Sequence, residues 1–174
     1  LPDTVTEIAD SACEQMTGIT QVSFPAGLKS IGAGAFNLSG LTSVTIPDSV
    51  TDIGRSAFQS CSSLTSAHLG SGYKGSTDSM SNSMFSGCSK LSTVELSEGL
   101  EVIDAYMFSG CRSLTSVDIP STVTVIEDYA FNTSGLSSVD LPAGLTKIGD
   151  QAFRQTPLQS VSLPDGLETI GEYA

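Results

Sequence analysis

The 174-residue sequence has no tryptophan, a single histidine (His68), and seven lysines and arginines against 19 aspartates and glutamates. The formal charge of −12 repels phosphate backbones and anionic bilayers, so nucleic acid and acidic membrane surfaces are excluded as principal partners. Long apolar runs are also lacking, and none approaches the length needed to span a bilayer, so no membrane insertion is expected of this segment. With one histidine and no nucleophile motif, no Ser-His-Asp or Cys-His arrangement can be assigned, which argues against an enzyme. The four cysteines lack the short spacing of a zinc site, and neither metal nor cofactor is expected. Apolar residues make up 39% of the chain, enough to fill the core of one domain. Hydroxyls are the abundant group, with 29 serines and 17 threonines.

The sequence repeats itself. Ile-Gly-x-x-Ala-Phe occurs at Ile31–Phe36, Ile53–Phe58 and Ile148–Phe153, with degenerate copies at Ile103–Phe108, Ile126–Phe131 and Ile8–Cys13. The aromatic position falls at Cys13, Phe36, Phe58, Phe85, Phe108, Phe131 and Phe153, spaced 23, 22, 27, 23, 23 and 22 residues apart. A last copy opens at Leu167, Ile170 and Gly171 and stops at Ala174. Such a period marks stacked units that share one core.

A unit begins Leu-x-x-Val-x-Ile-Pro, as in Leu41–Pro47. Val44 and Ile46 are two apart, the period of a strand with one buried face. Pro47 cannot donate to a ladder and ends the strand, as do Pro25, Pro120, Pro142 and Pro164. A second short extended piece follows, Ser49–Ile53, and the Ala57-Phe58-x-x-Cys61 segment reads as one helical turn that returns the chain. Units of 22 residues have lost one residue in that turn, where Gly40, Gly135 or Pro157 supplies the tighter backbone. The Phe85 unit carries four extra residues within Lys74–Ser79, with Tyr73 at the Val position and Met80 at the Ile position. Such an insertion maps to a surface loop, either a plain bulge or a ligand loop.

The consensus Leu-x-x-Val-x-Ile-Pro-x-x-Val-x-x-Ile-Gly-x-x-Ala-Phe-x-x-Cys resembles the BspA-like, or Treponema pallidum-type, class of leucine-rich repeats, over essentially all 174 residues. The resemblance implies an α/β repeat solenoid. It would be right-handed and curved, with a parallel β-sheet on the concave face and short strands and single helical turns elsewhere. It also implies a secreted or surface-anchored protein of adhesin type. The expected partner is a macromolecular ligand on a host or bacterial surface, a protein or glycoprotein. A spacer that displays another domain is the alternative.

On that frame the residues sort into columns. Cys61, Cys88 and Cys111 stack in one column, and parallel side chains in one core favour buried thiols over disulfides. Cys13 stands at the Phe position. On the strand face, one column holds Ser23, Thr45, His68, Glu95, Asp118, Asp140 and Ser162. Beside it run Gln21, Ser43, Ser66, Thr93, Ser116, Ser138 and Ser160, and then Thr20, Thr42, Thr65, Ser92, Thr115, Ser137 and Gln159. The candidate binding residues are therefore Ser43, Thr45, Ser66, His68, Thr93, Glu95, Ser116, Asp118, Ser138 and Asp140. Glu95, Asp118 and Asp140 are expected one strand spacing apart, suited to a basic or polar partner. A solvated strand surface and a hard-cation site are the competing readings. Both chain ends fall inside repeats, so the chain reads as a piece of a longer protein or as one that self-associates end to end.

Overall fold

A 22-residue unit cannot bury its Leu, Val, Ile and Phe side chains alone. In the computed structural model, which describes residues 1–76 and 82–174, the chain coils about seven times and lays equivalent positions over one another. Ten short strands result: β1 (Glu7–Ile8), β2 (Ser30–Ile31), β3 (Ser43–Ile46), β4 (Asp52–Ile53), β5 (Ser66–Leu69), β6 (Thr93–Leu96), β7 (Val102–Ile103), β8 (Val125–Ile126), β9 (Lys147–Ile148) and β10 (Thr169–Ile170). All pair in parallel and form three sheets, β1-β2-β4, β10-β9-β8-β7 and β3-β5-β6. The first two sheets come from the second extended piece of each unit, and the third from the Val-x-Ile segment. In β3 the alternation follows the sequence, with Val44 and Ile46 buried and Ser43 and Thr45 exposed.

Each Pro that ends a strand also starts a turn. Its carbonyl accepts the amide three residues on, as from Val50 to Pro47 and from Val123 to Pro120, both at 3.1 Å. The inserted unit interrupts the short-strand sheets. β4 ends one and β7 begins the other, and between them the Lys74 carbonyl accepts the amides of Glu101 (2.9 Å) and Val102 (3.1 Å). Tyr73 is buried, as its place at a Val position requires. Met80 and residues 77–79 of the insertion lie outside the described residues.

The return segment departs from the expected helical turn, and no helix occurs among the described residues. Around each ladder Phe, alternate amides point to the next coil. Ser56, Phe58 and Ser60 donate to Asn82, Met84 and Ser86 at 2.7, 3.0 and 2.8 Å, while Gln59 and Cys61 turn back onto Ser56 and Phe58. In a helix every amide would serve a carbonyl of its own segment. The alternation is made possible by left-handed residues two before and two after the aromatic position. Among the described residues, all twelve non-glycine residues with positive φ occupy such places, from Ser11 and Gln15 to Gln151, Gln155 and Tyr173. Gly34, Gly87 and Gly110 fill the same places. This three-rung ladder runs without a break from Ser11 to Ala174, past the insertion.

Inside the ladder lies the core. Phe36, Phe58, Phe85, Phe108, Phe131 and Phe153 form a continuous stack with centroids 5.3–5.9 Å apart and planes within 18° of parallel. Phe24 caps it edge-on at 5.7 Å. Each aromatic pair adds about 0.5–1.5 kcal/mol beyond its area burial. Leu28, Leu41, Leu64, Leu91, Leu114, Leu136 and Leu145 are fully buried beside it.

A left-handed non-glycine residue costs about 1–2 kcal/mol. Ser60 (φ 57°) stands where the next two coils have Gly87 and Gly110. Ser60→Gly is therefore expected to stabilise the chain by about 1 kcal/mol and to raise Tm by about 2–4 °C in a thermal melt.

Candidate functional site

The long-strand face brings six of the ten candidate residues into register. Ser43 pairs with Ser66 and Ser66 with Thr93, while Thr45 pairs with His68 and His68 with Glu95. His68 Nδ1 lies 3.2 Å from Glu95 Oε2, with the two side chains 36% and 72% exposed. An ion pair this open contributes about 0–1 kcal/mol when the ring is protonated. Ser116, Asp118, Ser138 and Asp140 are exposed, and Val117 and Val139 beside them are turned inward. Their segments carry the same alternation without forming paired strands, so the ladder that fixes one-strand spacing reaches Glu95 and stops there.

Four members of the outermost column are engaged between coils. Thr42, Thr65, Ser92 and Ser137 each donate a side-chain hydroxyl to a carbonyl of the preceding coil, at 3.0–3.3 Å. Thr124 and Thr146 do the same on the short-strand side. The abundance of Ser and Thr is thus partly structural, since hydroxyls tie adjacent coils at the edges of the strands.

Carboxylates do the complementary work. Asp10, Asp128 and Asp150 accept the backbone amides of Ala33, Asp150 and Glu172 one coil on, at 2.7–2.8 Å. Asp48 accepts Ser71 N at 2.8 Å, and Glu98 takes both the amide and the hydroxyl of Ser121. The Ser71 amide and hydroxyl hold the Asp48 carboxyl below its ordinary range. Five of the 19 acidic side chains therefore cap coil edges. Among the described residues no group of three or more His, Cys, Asp or Glu side chains is placed to hold a metal ion, and no helix is long and apolar enough to cross a membrane.

Residues 1–80 and 73–174 match the BspA type leucine-rich repeat region, in six copies. The chain belongs to the BspA-type leucine-rich repeat family. It is similar to a leucine-rich repeat protein of Bacteroides ovatus, at 31% identity and a TM-score of 0.88, over 98% of this chain and 44% of that one. It is similar too to the leucine-rich repeat protein of Treponema pallidum, at 33% identity and a TM-score of 0.64, over 71% and 59%. A third likeness is to a leucine-rich cell surface protein of Faecalibacterium prausnitzii, at 29% identity and a TM-score of 0.53, over 90% and 47%. The chain thus spans between two fifths and three fifths of the length of these relatives. No curated protein matches it.

Against the BspA-type repeat, one departure is chemical. The glycine after the short-strand Ile becomes Asp104 and Glu127 in two consecutive coils. At Gly54 an added Cβ would lie 2.4 Å from the Ala33 amide of the coil below, which explains the preference for glycine. Asp104 is 1% exposed and accepts Tyr73 Oη (2.5 Å), Asn82 Nδ2 (2.8 Å) and the Ser76 amide (2.6 Å). Glu127, also buried, is paired with Lys147 Nζ at 2.8 Å. Burial pushes the Asp104 carboxyl above its ordinary range, against the pull of its three donors. The only sign of this cluster in the sequence is the replacement of glycine by acid at Asp104.

The cysteine column is buried, as expected. The Cys61, Cys88 and Cys111 thiols donate to the carbonyls of Phe36, Phe58 and Phe85, at 3.1, 3.2 and 3.3 Å. The thiols are directed at the backbone of the preceding coil, and all four cysteines are free. Burial pushes the Cys111 thiol up to about 12, far from the thiolate that reacts. Ser39 and Ser134 hold the same place in the shorter units; Ser39 pairs with Cys61 Sγ, while the buried Ser134 hydroxyl has no partner.

A carboxyl with a raised folded-state pKa stabilises most below its unfolded value and loses that contribution as pH rises through the folded one. Wild type is therefore expected to lose stability relative to Asp104→Asn as pH is raised from 3.8 towards neutrality. Urea midpoints measured across that range check this, and a constant difference would show that Asp104 titrates normally.

Proposed function

We propose that this chain is a protein-interaction module of an extracellular or surface-anchored protein, adhesin-like, and that it binds a host or bacterial protein or glycoprotein through its long-strand face. The observation that carries the reading is the register Thr45–His68–Glu95 flanked by Ser43–Ser66–Thr93, a flat polar row on a backbone locked from both sides. Asp118 and Asp140 extend its exposed acidic character and suit a partner with basic or hydrogen-bonding groups. Family membership supports an interaction role, and the cell-surface relative of Faecalibacterium prausnitzii supports an outside location. Among the described residues no nucleophile and base are brought together, and the reading includes no enzymatic step.

A spacer role is the second reading, and one observation favours it. The hydroxyl protons of Thr42, Thr65, Ser92 and Ser137 are committed between coils, which leaves these four groups only as acceptors for a ligand.

The discriminating experiment compares binding of wild type and a Glu95→Ala/Asp118→Ala/Asp140→Ala variant to immobilised fibronectin, collagen and mucin. The three side chains are exposed and outside the core, so circular dichroism should be unchanged. The binding reading expects saturable binding to one of these surfaces, weakened about tenfold or more in the variant, since rim charges contribute about 0.5 kcal/mol each. Binding by neither protein points to the spacer.

A further inference from the structure

The turn side of the coils carries a second surface, away from the long-strand face. The left-handed position two before the ladder aromatic is occupied by Ser11, Gly34, Ser56 and Ser83 in the first coils. In the later coils it becomes Tyr106, Tyr129, Gln151 and Tyr173. Tyr106 and Tyr129 are half-buried, and their rings stack at 4.6 Å with planes 5° apart. Gln151 Nε2 donates to the Tyr129 hydroxyl at 2.6 Å and extends the row by one coil. Immediately beside this column stand Asp128, Asp150 and Glu172, the last two exposed.

Rings next to carboxylates attract cations, because the ring face is electronegative and guanidinium stacks flat on it. The row already does this internally. The Arg154 guanidinium lies over Tyr173, 5.9 Å from its centroid, and donates to the Gln151 side chain. Aromatics are also the residues that anchor protein interfaces, and the long-strand face has none at its candidate positions. With a formal charge of −12 behind it, the row complements a basic segment and disfavours an acidic one.

We propose that the turn side of the later coils is a docking surface for an arginine-bearing polypeptide segment, with Tyr106 and Tyr129 as the stacking platform and Asp128, Asp150 and Glu172 as its charge partners. The surface is independent of the strand-face reading, since its residues lie on a different part of each coil.

The test is calorimetric titration of the whole chain at low salt with octa-arginine and octa-lysine peptides. The variant Tyr106→Ser/Tyr129→Ser should fold, because serine holds the same left-handed position at Ser11, Ser56 and Ser83. A second variant, Glu172→Gln, changes an exposed side chain only. Saturable binding of octa-arginine, tighter than octa-lysine, is expected. The double variant should weaken it about tenfold and Glu172→Gln about twofold to threefold. Equal binding of the two peptides, unchanged affinity in the double variant, absence of binding by wild type, or loss confined to the strand-face variant would each overturn the proposal.

Discussion

Everything in this chain depends on how the backbone behaves around one aromatic residue per coil. Alternate amides must reach the next coil while the phenylalanine between them points inward, and a right-handed turn cannot do both. A left-handed residue on each side of the aromatic solves the geometry at a cost of about 1–2 kcal/mol wherever it is not glycine. That cost recurs twelve times among the described residues. What offsets it is a gapless ladder of inter-coil hydrogen bonds over a stack of six phenylalanines, a combination available only when coils are stacked.

The remaining features fasten the same arrangement at its edges. Hydroxyls of one coil reach carbonyls of the coil before, and carboxylates of one coil reach amides of the coil after. Thiols do from within what hydroxyls do from outside. Composition that reads as surface chemistry, the Ser, Thr and acid content, is in part internal bonding of a one-dimensional fold. The two proposed surfaces therefore rest on few residues: the Thr45–His68–Glu95 row with Asp118 and Asp140 for one, and the tyrosine row for the other.

The repeat, the strand phase, the burial of the cysteine column and the place of each phenylalanine were legible in the sequence, because hydrophobic period is a direct image of burial. The backbone of the return segment was not. Ala-Phe-x-x-Cys has the three-residue spacing of a helical face, and nothing in Ser56, Gln151 or Tyr129 announces φ near +57°. Tertiary hydrogen bonding overrides local preference there. The face was half legible: His68 and Glu95 meet as their columns predict, while the strand pairing that would hold Asp118 and Asp140 to the same spacing ends at β6. The Tyr73–Asn82–Asp104 cluster joins residues up to 31 apart across an insertion, a contact with no periodic signature.

Amide hydrogen exchange tests the central claim most directly. The amides of Phe36, Phe58, Phe85, Phe108 and Phe131, each bonded to the next coil at 2.8–3.0 Å, should exchange as slowly as those of β5 and unfold with the whole molecule. Rapid exchange at those five positions beside protected strands would contradict it, and would mean that the strands alone hold the coils together.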